Sequence, residues 1–445
     1  MADKVWSQLS PDERLRRRFA AFVEPGLEFS SPEAAAEYKA RATRLKNALL
    51  LEGEPDRVPV SVLAGYYPAT RKGLTPYDVT QDYGKAAQAW LECNRDLQAD
   101  TMIAPVFAAI PGRAYEALDV KILSWPGHGV AKEASFQYNE KEWMAPDEYD
   151  LLIDDPTDYL LHYYLPRVAA GLSGFAKLAS PLDMVEIVGG PPWMMRWADP
   201  DVQASLQKLT AAGQECAAWG GVIYPLLGRL VAEGFPGPFA HMSLAPFDFI
   251  GDTLRGTRGV IMDMFRQPDA LLEACDRIAP LVVKWVTRRS NPFTPPLVFI
   301  PLHKGADSFM SVEQFQKFYW PSLLKVIEGL SADGFVPYLF AEGAYGTRLE
   351  TLAADLPKGK TVWQFDHTDM RKAKEYLGGV ACIQGNVPLP LLQLGTADEV
   401  KAYSRDLIDA VGPGGGFILD VGAVVDDAKP GNVEAMIQAA KESAK

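Results

Sequence analysis

Between Phe335 and Gly422 one pattern recurs four times. An apolar run of strand length ends in a polar residue, a turn follows, and a helix-like stretch comes next. The runs are 335–343, 361–367, 380–386 and 416–420. Continuous apolar runs mark strands buried on both faces, and parallel strands need helical crossovers. In a (β/α)8 barrel the C-terminal strand ends gather on one face, where catalytic groups collect. Glu342, Asp366, His367, Gln384, Asn386 and Asp420 are therefore expected at one mouth.

Four further strand candidates precede these: 57–64, 100–106, 235–241 and 295–303. The third is weak, because Pro236, Gly237 and Pro238 interrupt it. Together they make an α/β chain, a (β/α)8 TIM barrel. The stretch 82–98 reads as the helix between the first two strands. Ser311, Thr396 and Pro430 open later helices, and Phe315, Phe318 and Tyr319 share one helical face. Residues 1–55 read as a helical N-terminal extension. Ser10 and Ser31 are capping serines, each followed by proline and then acids. Residues 56–445 form the barrel. An insertion at about 107–230 is irregular and aromatic-rich to about 180, helical over 200–234, and is expected over the mouth.

The chain has 445 residues, 48% of them hydrophobic, enough for a large core. A net charge of −13 disfavours nucleic acid or an anionic membrane as partner. Cys93, Cys216, Cys275 and Cys382 lack paired spacing, which implies a reducing compartment. The N-terminus Met1-Ala-Asp-Lys-Val-Trp6 has no signal pattern, and no long apolar run reads as a membrane span. A cytoplasmic location is the expectation.

Of five histidines, His241, His303 and His367 fall at predicted strand ends. Histidine there is a general acid or base, a metal ligand, or a structural hydrogen-bonding residue. Glu342 and Asp366 are carboxylates at the same level, either tuned for proton transfer or held in a hydrogen-bonded network. His241, His303, Asp307 and Glu342 could together supply an open zinc site of N and O donors. Arg255 and Arg258, three apart, either clamp a substrate carboxylate or pair with Asp248, Asp252 or Asp263. Tyr66 and Trp193 offer aromatic surface to a ligand, or simply pack.

The last quarter carries a family resemblance. Cys382-Ile-Gln-Gly385-Asn386-Val387-Pro388, followed by Gly395-Thr396 and a helix, resembles the QGN segment of the uroporphyrinogen decarboxylase superfamily. Phe365-Asp366-His367 resembles that family's Asp-bearing strand, Arg57-Val58-Pro59-Val60 its first strand, and Gly237-Pro238-Phe239 a later one. The stretch from Gly416 through Pro430-Gly431-Asn432 fits its closing pattern. The resemblance spans about 57–440, with 107–230 poorly matched, and implies the barrel with its cleft at the C-terminal face. It also implies a substrate-contacting role for Asn386.

The decarboxylases themselves carry an arginine-bearing loop after the first strand. Here that stretch is Leu63-Ala64-Gly65-Tyr66-Tyr67-Pro68, with only Arg71 beyond, so haem biosynthesis is not implied. The superfamily's other branch moves methyl groups between substrates, corrinoids and thiols. Its thiol-activating members bind zinc through a His-x-Cys pair, and here the matching positions are Phe340-Ala341-Glu342. Any zinc would need the harder N/O set named above. The resemblance thus implies a methyltransferase acting on a small methylated, for example methoxylated, substrate. Its corrinoid would come on a partner protein, since the chain lacks a DxHxxG-type cobalamin motif. The alternative is a carboxy-lyase of the decarboxylase type, with Asp366 or His367 stabilising the intermediate. A third reading is a non-catalytic binding subunit. Related barrels often pair, so a homodimer is a further expectation.

Overall fold

The structure, a computed structural model, describes residues 5–186 and 188–444; the N-terminal Met1–Lys4 lie outside them. Among the described residues there are nine strands, β1 Leu123–Pro126, β2 Gly129–Val130, β3 Gln137–Tyr138, β4 Phe239–Met242, β5 Leu297–Leu302, β6 Val336–Ala341, β7 Val362–Phe365, β8 Cys382–Val387 and β9 Phe417–Val421. Strands β4 to β9 form one parallel sheet in sequence order, and β2-β1-β3 form a small separate sheet. All four repeats of the sequence thus become β6 to β9, each followed by a helix: Leu349–Asp355, Met370–Leu377, Ala397–Val411 and Asn432–Lys441.

The first two predicted strands are not strands. Val60 and Ala64 make isolated parallel bridges to Leu419 and Val425, and Pro105–Phe107 is a 3-10 turn. The reason is a shortage of ladder donors. Pro59 and Pro105 have no N–H, and the Val60 N–H goes to the Asp100 carboxylate at 2.8 Å instead of a strand carbonyl. The two segments still bridge from β9 to the residues just before β4. Leu419 N–H donates to Pro59 O, Asp100 N–H to Val60 O, and Met102 N–H to Pro236 O, each at 2.9 Å.

Strand side chains alternate between two cores. Val298, Ile300, Leu339, Ala341, Trp363 and Ile383 pack outward against the helices. Phe299, Val336, Tyr338, Phe340, Val362, Cys382 and Ile418 face inward. They meet the N-terminal helices there, α1 Pro11–Val23 and α2 Pro32–Leu49, through Phe19, Phe22, Tyr38 and Leu45. Both helices start as expected, at Ser10 with a full capping box and at Ser31. Arg44 on α2 and Arg57 both bind buried Asp100, each at 2.7 Å, fixing α2 to the adjoining segment. The inward face therefore runs from apolar beside α1 and α2 to polar at the C-terminal strand ends.

The insertion contains the small sheet, several short helices and the 33-residue helix Pro200–Ala232. Among the described residues no helix is long and apolar enough to cross a membrane, and the four cysteines are free.

Candidate functional site

Counting along the inward face by twos reaches His303, Glu342, Asp366 and Asn386 at the strand exits. His303 is the centre of the cluster that results. Its Nδ1 lies 2.5 Å from Asp252 Oδ2 and its Nε2 lies 3.5 Å from Glu342 Oε1. Its backbone N–H and that of Lys304 donate to the two oxygens of Asp248, both at 3.0 Å. Tyr319 Oη donates to Asp248 as well, at 2.6 Å. Lys304 Nζ closes the group, 2.5 Å from Asp252 Oδ1 and 3.1 Å from Glu140 Oε2.

Burial alone would depress the His303 imidazole. The interactions with Asp252 and Glu342 and the nearby charge of Asp248 outweigh it, and the ring is pushed up to about 11. His303 is thus an imidazolium at neutral pH, with its Nδ1–H committed to Asp252. The Nε2 contact to Glu342 is too long for a well-formed hydrogen bond. Burial would raise Asp252, but His303 and Lys304 hold it below the usual carboxylate range. Asp248, wholly buried beside Asp252, is pushed up to about 7.

Asp248 and Asp252 come from the turn after β4, where Pro246–Asp248 runs into a π-helical turn, Phe249–Arg255. Sequence reasoning considered both only as partners for the arginines. The spacing of two acids four apart just after a strand was the available signal, and wide turns of this kind recur at functional sites.

At the β7 exit, Asp366 Oδ2 accepts from Gly343 N–H at 3.1 Å and lies 3.2 Å from His367 Nδ1. Burial, with the Glu342 charge, raises Asp366. Gly343 sits at φ +82°, a conformation few other residues adopt. His367 is largely exposed. The Asn386 side-chain NH2 donates to the Asp366 and Thr368 carbonyls at 3.0 and 2.8 Å, so it braces the loop that carries Asp366. Gln384 and Asp420, expected at the mouth, lie a layer below it. Gln384 Nε2 donates to Asp420 Oδ2 at 2.6 Å and to Tyr338 Oη at 2.9 Å, and burial pushes Asp420 up to about 6.

Other expected residues are placed elsewhere. Phe239 pairs with Leu297, but an irregularity shifts the register so that His241 pairs with outward-facing Val298. A slip of one residue reverses the face, so His241 points away from the mouth and is influenced by Arg289. Asp307 accepts from Thr347 N–H and Oγ1 at 3.1 and 2.8 Å. The proposed ligand set therefore does not converge. Of the four, only His303 and Glu342 are neighbours. Among the described residues no three His, Cys, Asp or Glu side chains are grouped to hold a metal ion.

Arg255 is buried, with Nε 2.6 Å from Asp263 Oδ2, and Arg258 is exposed. Of the two readings of this pair, internal pairing describes Arg255. Tyr66 is fully buried, its N–H on Asp426 at 2.8 Å. Trp193 packs on Trp197 with ring centroids 5.3 Å apart.

Residues 237–443 match the family model for uroporphyrinogen decarboxylase (URO-D). The resemblance read from the sequence motifs holds over that span. No curated protein matches the chain. Among solved structures, a methyltransferase from Methanosarcina mazei superposes with a TM-score of 0.56 at 14% identity, covering 90% of this chain and 98% of that one. At that identity the likeness is one of fold.

Proposed function

We propose that the chain is a methyltransferase built on a URO-D-type (β/α)8 barrel, moving a methyl group from a small methylated substrate to a corrinoid carried by a partner protein. The barrel reading rests on the segment that hydrogen-bonds to β9, on its link through 100–102 to Pro236 just before β4, and on the URO-D match. The observation that carries the activity is the His303 imidazolium at the mouth, gripped by Asp252 and only loosely met by Glu342. The likeness to a methyltransferase of known structure agrees with it.

Demethylation of an ether or amine leaves a poor leaving group unless a proton or Lewis acid neutralises it. His303 is placed to donate from Nε2 to the departing oxygen or nitrogen, while Asp252 keeps the ring oriented through Nδ1. Glu342, partly exposed beside Nε2, is placed to return a proton from solvent. The methyl group passes to the reduced corrinoid as the bond to the leaving atom breaks, and the electron pair stays with that atom, which takes the proton. Since the donors present do not form a zinc site, no step is assigned to a metal. The carboxy-lyase alternative would hold the substrate carboxylate with Arg255 or Arg258, and of these Arg255 is committed to Asp263.

The test mixes purified protein with a reduced corrinoid protein and a panel of methoxylated and methylated amine donors. Methyl-corrinoid absorbance is expected, and its loss in His303→Asn. Carbon dioxide release from carboxylated substrates without any corrinoid would overturn the proposal.

A further inference from the structure

Lys304 joins two parts of the chain that are far apart in sequence. Its ammonium lies between Asp252 Oδ1 at 2.5 Å, below the mouth, and Glu140 Oε2 at 3.1 Å, on the insertion. The side chain is 4% exposed, so the charge has little access to water. Its stem crosses Gly251, where a Cβ would come within 2.7 Å of Lys304 Cδ and Cε. Confined in this way, the ammonium is shared between an ion pair with Asp252 and a hydrogen bond to Glu140.

Glu140 is partly exposed but has further contacts on the turn. Its carboxylate accepts from Thr257 Oγ1. Met144 N–H, four residues on, donates to Leu254 O at 2.8 Å. At Gly256, with φ +68°, a Cβ would meet Glu140 O at 3.0 Å. The insertion therefore lies flush on the turn that carries Asp252, and Glu140 marks whether it is seated.

We propose that Glu140 is a positioning residue that couples the seating of the insertion to the His303 proton donor, acting through Lys304 and Asp252. With the insertion seated, Lys304 is shared and Asp252 gives its full strength to His303 Nδ1–H. With the insertion lifted, Lys304 belongs to Asp252 alone and that bond slackens. The other charged or titratable groups facing His303 are Asp248 from the same turn, Glu342 from the β6 exit and Tyr138 from β3. None of them links the insertion to Asp252 through a shared cation. On the reading of the mouth as a proton-donating methyl-transfer site, a partner that lifts the insertion would release the proton as the methyl acceptor arrives.

The coupling is tested on the full chain without substrate or corrinoid, so its outcome is independent of the methyl-transfer assay. The Nδ1–H proton of His303, in a bond of 2.5 Å, should resonate far downfield and be assigned by its loss in His303→Asn. Glu140→Gln is expected to move it upfield and Lys304→Met further downfield. In the Lys304→Met background, Glu140→Gln should have no effect. Lys304→Gln serves as the second background if Lys304→Met does not fold. An unmoved resonance in Glu140→Gln would overturn the proposal. So would an equal shift in both backgrounds, which would mean that Glu140 acts directly and not through Lys304.

Discussion

Replacing Arg255 by Met separates a brace from a substrate clamp. The guanidinium is 2% exposed, as is Asp263, which it meets at 2.6 Å. It also donates to Met144 O. Removing it leaves a buried carboxylate with only neutral donors, Tyr149 Oη at 2.9 Å and Gln267 Nε2 at 3.0 Å. Breaking a buried pair from one side costs ~3–5 kcal/mol, and the two remaining donors place Arg255→Met near the lower end. A loss of about 3 kcal/mol is expected in urea unfolding, with KM for the methyl donor unchanged in the folded fraction. Asp263→Asn added to Arg255→Met should recover much of the loss, because it removes the stranded charge. Arg258→Ala, at an exposed position, should stay within about 0.5 kcal/mol of the parent. If Arg255→Met kept its stability and raised KM tenfold, the buried-brace reasoning would be wrong and the arginine would hold substrate.

His303→Asn should lower the methyl-transfer rate by roughly 10²- to 10⁴-fold, the usual worth of a general acid, measured as initial methyl-corrinoid formation. Asp420, raised from 3.8 to about 6, binds a proton in the native state that the unfolded chain has lost between those pH values. Stability should therefore fall as pH rises from about 4 to 6, by up to roughly 3 kcal/mol. Asp420→Asn should remove that part of the slope in urea midpoints, and an unchanged slope would refute the assignment. Phe19→Ala, at a fully buried position between α1 and the inward strand face, should cost about 3–5 kcal/mol in the same assay.

The strands β6 to β9 were legible because each is buried on both faces and announces itself as an apolar run. The helix starts at Ser10, Ser31, Ser311 and Thr396 were legible because capping is a local interaction. His303, Glu342 and Asp366 were legible because each stands at the C-terminal end of an apolar run. What failed depended on long-range partners. The carboxylate of Asp100 takes the N–H that would have made Val60 part of a ladder, and no local pattern reveals that. His241 was misplaced because the register slip beside Phe239 is set by pairing with β5. Asp252 was underrated because only the π-helical turn brings it under His303. Lys304, adjacent to a histidine already singled out, passed unnoticed because its role depends on an insertion residue more than a hundred positions away.

The packing of α1 and α2 against the inward side chains has a kinetic consequence. Phe19, Phe22 and Leu45 fill the end of the sheet opposite His303, so among the described residues the cluster has no rear exit. On the proposed methyl-transfer reading, a demethylated product would leave by the side from which the methyl acceptor approaches. While a bulky partner occupies that side, the product waits beneath it. Turnover should then be strictly ordered, with the small molecule first in and last out, and product inhibition should be noncompetitive toward the partner protein.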